Sequence, residues 1–171
     1  MWVAGEHAFS DGASEPSEGI DMKYLVLAAG LALASQTAFA GDNDLIRKDS
    51  AQSVPATVDA MVGAMESAGI TIFARVDHGA GAQSIGEDIG ASQLLIFGNP
   101  KVGTPAIKDD PAAGLFLPLK VLVYEDAVGA TKIVYEDPSA MLADLGGVSE
   151  EAAYLNVMSG ALKNFTDAAS Q

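Results

Sequence analysis

Leu94 to Pro105 (LLIFGNPKVGTP) constrains this chain more than any other stretch. Leu94 to Phe97 is a short apolar run of the kind that forms a buried strand. The Gly-Asn-Pro-Lys corner behind it starts a helix. Asn99 is a favoured N-cap, because its side-chain oxygen accepts a free N–H of the first turn. Pro100 fits the first helical position, where its missing N–H costs nothing. A second proline at 105 would break a continuous helix. One turn from Pro100 is therefore expected, then a restart capped by Thr104 with Pro105 in its first turn, ended by Asp110-Pro111 and Gly114.

The rest of the chain can be built outward from that corner. Residues 43 to 49 read as a short first strand. Ser53-Val54-Pro55 starts a helix, with Ser53 as cap and Val58, Met61, Val62, Met65 and Ala68 as its apolar stripe. Gly69 ends it as a left-handed cap. Ile70 to Val76 alternates as a second strand, with Ile70, Ile72, Ala74 and Val76 on one face and Thr71, Phe73 and Arg75 on the other. Asp77-His78-Gly79 closes it, and a helical turn is expected around Gln83 to Asp88 within the Gly-rich stretch 79 to 90. Leu119 to Glu125 and Thr131 to Glu136 form a hairpin turning through Asp126 to Ala130. Asp137-Pro138 starts a short helix reaching Asp144, stopped by Gly146-Gly147. Ser149 is expected to cap a last helix (150–168), with Glu150 and Glu151 near its positive end. Its stripe is Leu155, Met158, Leu162, Phe165 and Ala169. The order predicts an α+β fold: a mainly antiparallel sheet with helices packed on one face.

The first 40 residues are expected to stand outside that domain. Met22-Lys23 opens a basic start, Tyr24 to Ala34 is an apolar run, and Ala38-Phe39-Ala40 has the small-x-small pattern of a signal-peptidase site. The run is shorter than the ~20 residues that span a bilayer. Residues 22–40 therefore read as a signal peptide cleaved before Gly41, which leaves no stable membrane anchor and implies a periplasmic or secreted protein. Residues 1–21 hold five acidic residues and no Lys or Arg, the wrong charge for a leader. They read as an upstream extension from a misplaced start codon, with Met22 the true start. Residues 41–171 then form a single domain with 18 acidic and 8 basic residues, a net charge of −10. Such a domain is repelled by nucleic acid and by anionic lipid. There is no cysteine, so a thiol nucleophile, an iron–sulfur cluster, a Cys-based zinc site and a disulfide frame are all excluded. No cofactor or metal is expected.

Few residues carry candidate chemistry. Gly79-Ala80-Gly81 follows a strand, but Ser84 stands where a dinucleotide loop needs a third glycine. His78 is the one histidine of residues 41–171. It is a candidate ligand, metal or proton-transfer residue, and capping of the strand end accounts for it equally simply. Asp77 beside it points to the other side of a strand and would orient it poorly. Asp109, Asp110, Glu125, Glu136 and Asp137 are candidate carboxylate partners, all at element ends where acids ordinarily meet solvent. Asn99, Lys101 and Thr104 could hold a small anion at a helix start, although ordinary capping uses the same residues. The methionines lie in helical stripes and read as core.

Three segments resemble a known family. They are Ile70 to His78 (ITIFARVDH), Leu94 to Pro105, and Gly114 to Asp126 (GLFLPLKVLVYED), followed by the Tyr135-Glu136-Asp137-Pro138 corner. Together, over about residues 45–147, they are similar to domain of unknown function 302. The resemblance implies a TATA-binding-protein-like arrangement, a curved antiparallel sheet with helices on one side, and frequent homodimers. Many members carry Cys before Asn-Pro. Gly98 stands there in this chain, so thiol chemistry at that position does not carry over.

The expected function is an exported, non-catalytic binding or protein-interaction module. A small anionic ligand or a protein partner would sit in a cleft where His78 meets Asn99, Lys101 and Thr104. Two alternatives belong to other classes: a small hydrolase or isomerase with His78 as general base, and a periplasmic metal-handling protein using His78, Met and carboxylates.

Overall fold

The computed structural model describes residues 44–171. The expected signal segment and acidic lead lie outside them. Five strands, β1 (Leu45–Asp49), β2 (Thr71–Asp77), β3 (Ser92–Gly98), β4 (Leu119–Glu125) and β5 (Thr131–Glu136), form one antiparallel sheet in the order β1-β5-β4-β3-β2. The helices are α1 (Val54–Ser67), α2 (His78–Gln83), α3 (Pro100–Asp109), α4 (Ala113–Phe116), α5 (Pro138–Met141) and α6 (Ala153–Ala169).

Alternation on the three inner strands decides which face is covered. Leu95, Phe97, Val121, Val123, Ile133 and Tyr135 point to one face and are buried. Val58, Met61 and Met65 of α1 and Leu155, Met158 and Leu162 of α6 close that face into a single core. Phe97 meets Phe165 of α6 edge to face, ring centroids 6.3 Å apart, the geometry that aromatic quadrupoles favour. The opposite face presents Leu94, Ile96, Leu122 and Val134, each half-buried.

Local chemistry places the element ends. At the end of α1, the Ile70 N–H donates to the Met65 carbonyl (2.9 Å) and the Gly69 N–H to the Glu66 carbonyl (3.0 Å), with Gly69 at φ 70°. This is the left-handed cap expected there. The β4–β5 turn is held by Asp126 Oδ1, which accepts from the Val128 and Ala130 N–H groups. Asp137 Oδ1 accepts from Ser139 and Ala140 and starts α5.

Several expectations are corrected. A bulge at Phe73 shifts the β2–β3 register between Ile72↔Phe97 and Ala74↔Ile96. A one-residue shift exchanges faces, so Ile72 stays on the helix side while Ala74 and Val76 turn to the other. Arg75 turns to the helix side, where its Nε and Nη2 donate to Gln93 and its Nη1 pairs with Asp59 of α1 at 2.6 Å. Helix α3 runs unbroken through Pro105. Pro105 leaves the Lys101 carbonyl without its helix donor, and both residues are exposed. Helix α2 starts directly at His78 rather than near Gln83, because Asp77 caps it: Oδ1 accepts from the Ala80 N–H at 2.8 Å. Ser53 makes no side-chain cap, and Ala68 is exposed just past α1. Ser149 accepts from the Glu151 N–H in a turn (3.3 Å), and the last helix begins at Ala153.

An ion-pair cluster ties the first strand to the last helix. Lys48 and Lys163 both pair with Asp167, and Lys48 Nζ also donates to Thr166 Oγ1 at 2.8 Å. The hydrogen bond from Lys163, then that from Lys48, holds the Asp167 carboxyl below its usual range. A carboxyl lowered on folding adds stability that is present above its unfolded pKa and is lost as pH falls through the folded one. The stability gap between the native chain and Asp167→Asn is therefore expected to be widest at neutral pH. It should close below about pH 4, as read by Tm against pH. The effect will be small, since the pair is solvent-exposed.

Candidate functional site

The strand-to-helix corner builds one wall of a concave site. β3 ends at Gly98, and Asn99 then caps α3. Its Oδ1 accepts from the Lys101 N–H at 3.0 Å, while the Asn99 carbonyl accepts from Val102 (2.9 Å) and Gly103 (3.0 Å). Pro100 has no N–H. The first turn of α3 is thus satisfied from within, which leaves no N–H group there to bind an anion.

The cleft beside this corner has a volume of about 260 Å³. Phe73, Val102, Ile107, Leu117, Pro118 and Met158 line it together with Gly98, Asn99, Gly103 and Thr104. Its character is apolar. Phe73 reaches it because the β2 bulge turns that ring out of the strand alternation, leaving it 54% exposed. Met158 forms part of the floor and is itself buried.

The structure divides the sequence-derived site residues. Asn99 and Thr104 line the cleft, and Lys101 does not. His78 lies elsewhere. The β2–β3 ladder runs from Thr71↔Gly98 at one end to Asp77↔Gln93 at the other, so His78 and the corner are separated by six residues of strand, roughly 20 Å. The expected cleft joining them does not form, because antiparallel pairing sends the end of β2 to the start of β3. His78 is exposed. Asp77 is engaged by the Ala80 N–H and by Gln93 Nε2 (3.1 Å).

The candidate carboxylates mostly serve structure. Asp110 accepts from the Ala112 N–H, Asp137 caps α5, and Glu125 accepts from the Ala91 N–H. Asp109 accepts from the Tyr154 hydroxyl at 3.0 Å. Burial first, and then Asp109, raises the pKa of that phenol. Among the described residues, no group of three or more His, Asp or Glu side chains is placed to hold a metal ion.

The apolar lining was largely missed from sequence. Phe73 reads there as an ordinary strand position. Ile107 and Leu117 carry no chemical signal, and Met158 belongs to a core stripe. Leu117-Pro118 stood out only as part of the Gly114 to Asp126 segment of the family resemblance.

Three comparisons bear on this architecture. A crystal structure of an uncharacterized conserved protein DUF302 from Bacillus stearothermophilus superposes with a TM-score of 0.65 at 19% identity, covering 74% of this chain and 98% of that one. At that identity the likeness shows the fold. Over 121 residues the chain is 36% identical to proteins named fluoride-specific ion channel FluC 1 in Brucella suis biovar 1 (strain 1330) and in Brucella abortus biovar 1 (strain 9-941). The match covers 70% of this chain but 47% and 44% of theirs, so the chain spans about half the length of the curated relatives it matches. The model of the domain of unknown function DUF302 matches residues 46–165. With that match over most of its length, and a sheet and helix arrangement shared with a solved member, the chain belongs to the DUF302 family.

Proposed function

We propose that this chain is an exported, non-catalytic binding module that takes a small, largely apolar ligand in the cleft between α3, Phe73 and Leu117-Pro118, and that it works as a homodimer. The observation that carries the ligand reading is the cleft itself. It is concave and apolar, with two polar side chains at its rim, the usual make-up of a small-molecule site. The separation of His78 from the corner argues against concerted acid–base chemistry between them, since such chemistry needs groups within about 3 Å of the reacting atoms.

The homodimer reading draws on the open sheet face. Leu94, Ile96, Leu122 and Val134 form an apolar centre there, framed by Lys120, Lys132 and Glu136. A mixed-charge rim around an apolar centre suits an isologous contact, in which one patch meets its own copy.

Conduction of fluoride is not part of this proposal. That name belongs to the Brucella proteins as wholes. No helix among the described residues is long and apolar enough to cross a membrane.

Native mass spectrometry of the protein recovered from expressing cells, with the denatured mass alongside, tests the proposal. The expected result is a chain starting at Gly41, a dimer that Leu122→Glu converts to monomer, and a small co-purifying mass lost on denaturation. A monomer with nothing bound would overturn both the ligand and the dimer readings.

A further inference from the structure

The cleft has two polar side chains on its lining, Asn99 and Thr104. The Asn99 amide is fixed in orientation because its Oδ1 accepts from the Lys101 N–H at 3.0 Å. What the amide still offers is therefore a donor, the Nδ2 hydrogens. Among the described residues neither Nδ2 nor the Thr104 hydroxyl has a hydrogen-bond partner. Asn99 is half-buried, so an acceptor meeting it would be partly shielded from water. Lys101 is off the cleft lining and the first-turn N–H groups are engaged. The site therefore offers hydrogen-bond donors to an acceptor oxygen and places no cationic side chain on its lining.

The size of the site has its own determinant. A Cβ on Gly98 would lie 3.4 Å from Phe73 Cε2 and 3.5 Å from Pro118 Cβ. These are ordinary contact distances, so a methyl group fits, and it would bridge two walls of the cleft. A glycine at this position keeps the gap between ring and proline open. An apolar cavity of about 150 Å³ holds a benzene ring. The 260 Å³ here leaves room for one substituted ring or a short acyl chain.

We infer that the ligand has an apolar body of that size with a terminal carbonyl or carboxylate oxygen, held by Asn99 Nδ2 and the Thr104 hydroxyl, and that Gly98 sets the size limit. The inference rests on the cleft being a ligand site, and its test separates the two.

The probes are 4-fluoroacetophenone, 4-fluorobenzoate and fluorobenzene, followed by ¹⁹F NMR and by the methyl resonance of Met158, which reports on the floor. The ketone is expected to bind about tenfold more tightly than fluorobenzene, the effect of a partly shielded hydrogen bond from Asn99 with a weaker one from the exposed Thr104. Asn99→Asp keeps an N-cap oxygen for Lys101 but removes the donor. It is expected to erase that preference while α3 stays folded, and Thr104→Val should reduce it. Gly98→Ala is expected to weaken every ring probe at least fivefold without lowering Tm. Whichever of benzoate and ketone binds tighter, the acceptor inference stands, and the order shows whether the natural oxygen is carboxylate or neutral carbonyl. Equal binding of ketone and fluorobenzene, with Met158 shifted by both, would overturn the acceptor inference and leave the cleft standing. Unchanged binding to Gly98→Ala would overturn the size limit. No shift of Met158 with any probe would overturn the cleft itself.

Discussion

Replacing Phe97 by alanine is expected to lower stability by about 3–5 kcal/mol, the largest single-residue effect in this domain. Phe97 is 1% exposed and is the largest fully buried side chain. It sits on β3, one strand in from the sheet edge, opposite Ile72 on one side and Leu119 on the other. Its ring also meets Phe165 edge to face. Truncation removes the buried ring and leaves a void bounded by two strands and α6, which cannot collapse without moving the sheet. Tm should fall by roughly 10 °C or more. Phe97→Leu refills most of the space and should cost about half as much. Leu115→Ala, at a site 82% exposed, is the control and should stay within about 0.5 kcal/mol. Urea or thermal melts decide it. A cost below about 1 kcal/mol for Phe97→Ala would mean that the helix layer does not pack on this ring.

Gly147→Ala is expected to cost about 3 kcal/mol, at the upper end of overpacking effects, while Gly146→Ala should be nearly neutral. The two glycines are sequence neighbours with different surroundings. A Cβ at 147 would overlap the Asp109 carbonyl oxygen and lie 3.0 Å from both the Asp109 carbonyl carbon and Asp110 Cβ. These atoms end α3, and Asp110 Oδ2 accepts from the Gly147 N–H at 3.4 Å, so the segment cannot simply swing away. A Cβ at 146 meets nothing within 4 Å. Thermal melts of the two variants should differ by roughly 10 °C. Equal Tm values would show that the loop after α5 does not lie against the end of α3.

These two sites also mark how far the sequence could be read. Burial of Phe97 was legible, because Leu94 to Phe97 is an apolar run next to an Asn-Pro helix start. The β4–β5 hairpin was legible to the residue, because Asp126 and Gly129 specify its turn. The stripes of α1 and α6 were legible from helical spacing. Gly146 and Gly147, in contrast, read alike as a stop signal. Only the approach of α3 from 37 residues away in sequence distinguishes them.

The candidate site was half legible. Asn99 and Thr104 stand out as polar residues at a helix start, and they do line the cleft. His78 stood out for its chemistry alone, and chemistry does not say which end of a strand pair a residue occupies. Pro105 looked like a break, but one lost hydrogen bond on an exposed side does not stop a helix whose other contacts hold.

By itself the sequence determined the five strands and the two long helices α1 and α6, because capping, turn geometry and apolar periodicity act within a few residues. It also determined the exclusion of thiol chemistry, and the family segments pointed to the α+β fold. The tertiary structure alone decided the β2 bulge that turns Phe73 into the cleft, the face on which each β2 side chain lies, and the roughly 20 Å between His78 and the corner. Each of these depends on the β2–β3 register, which no tight turn fixes because the connection runs through α2, so it is set by how the whole face packs against the helices.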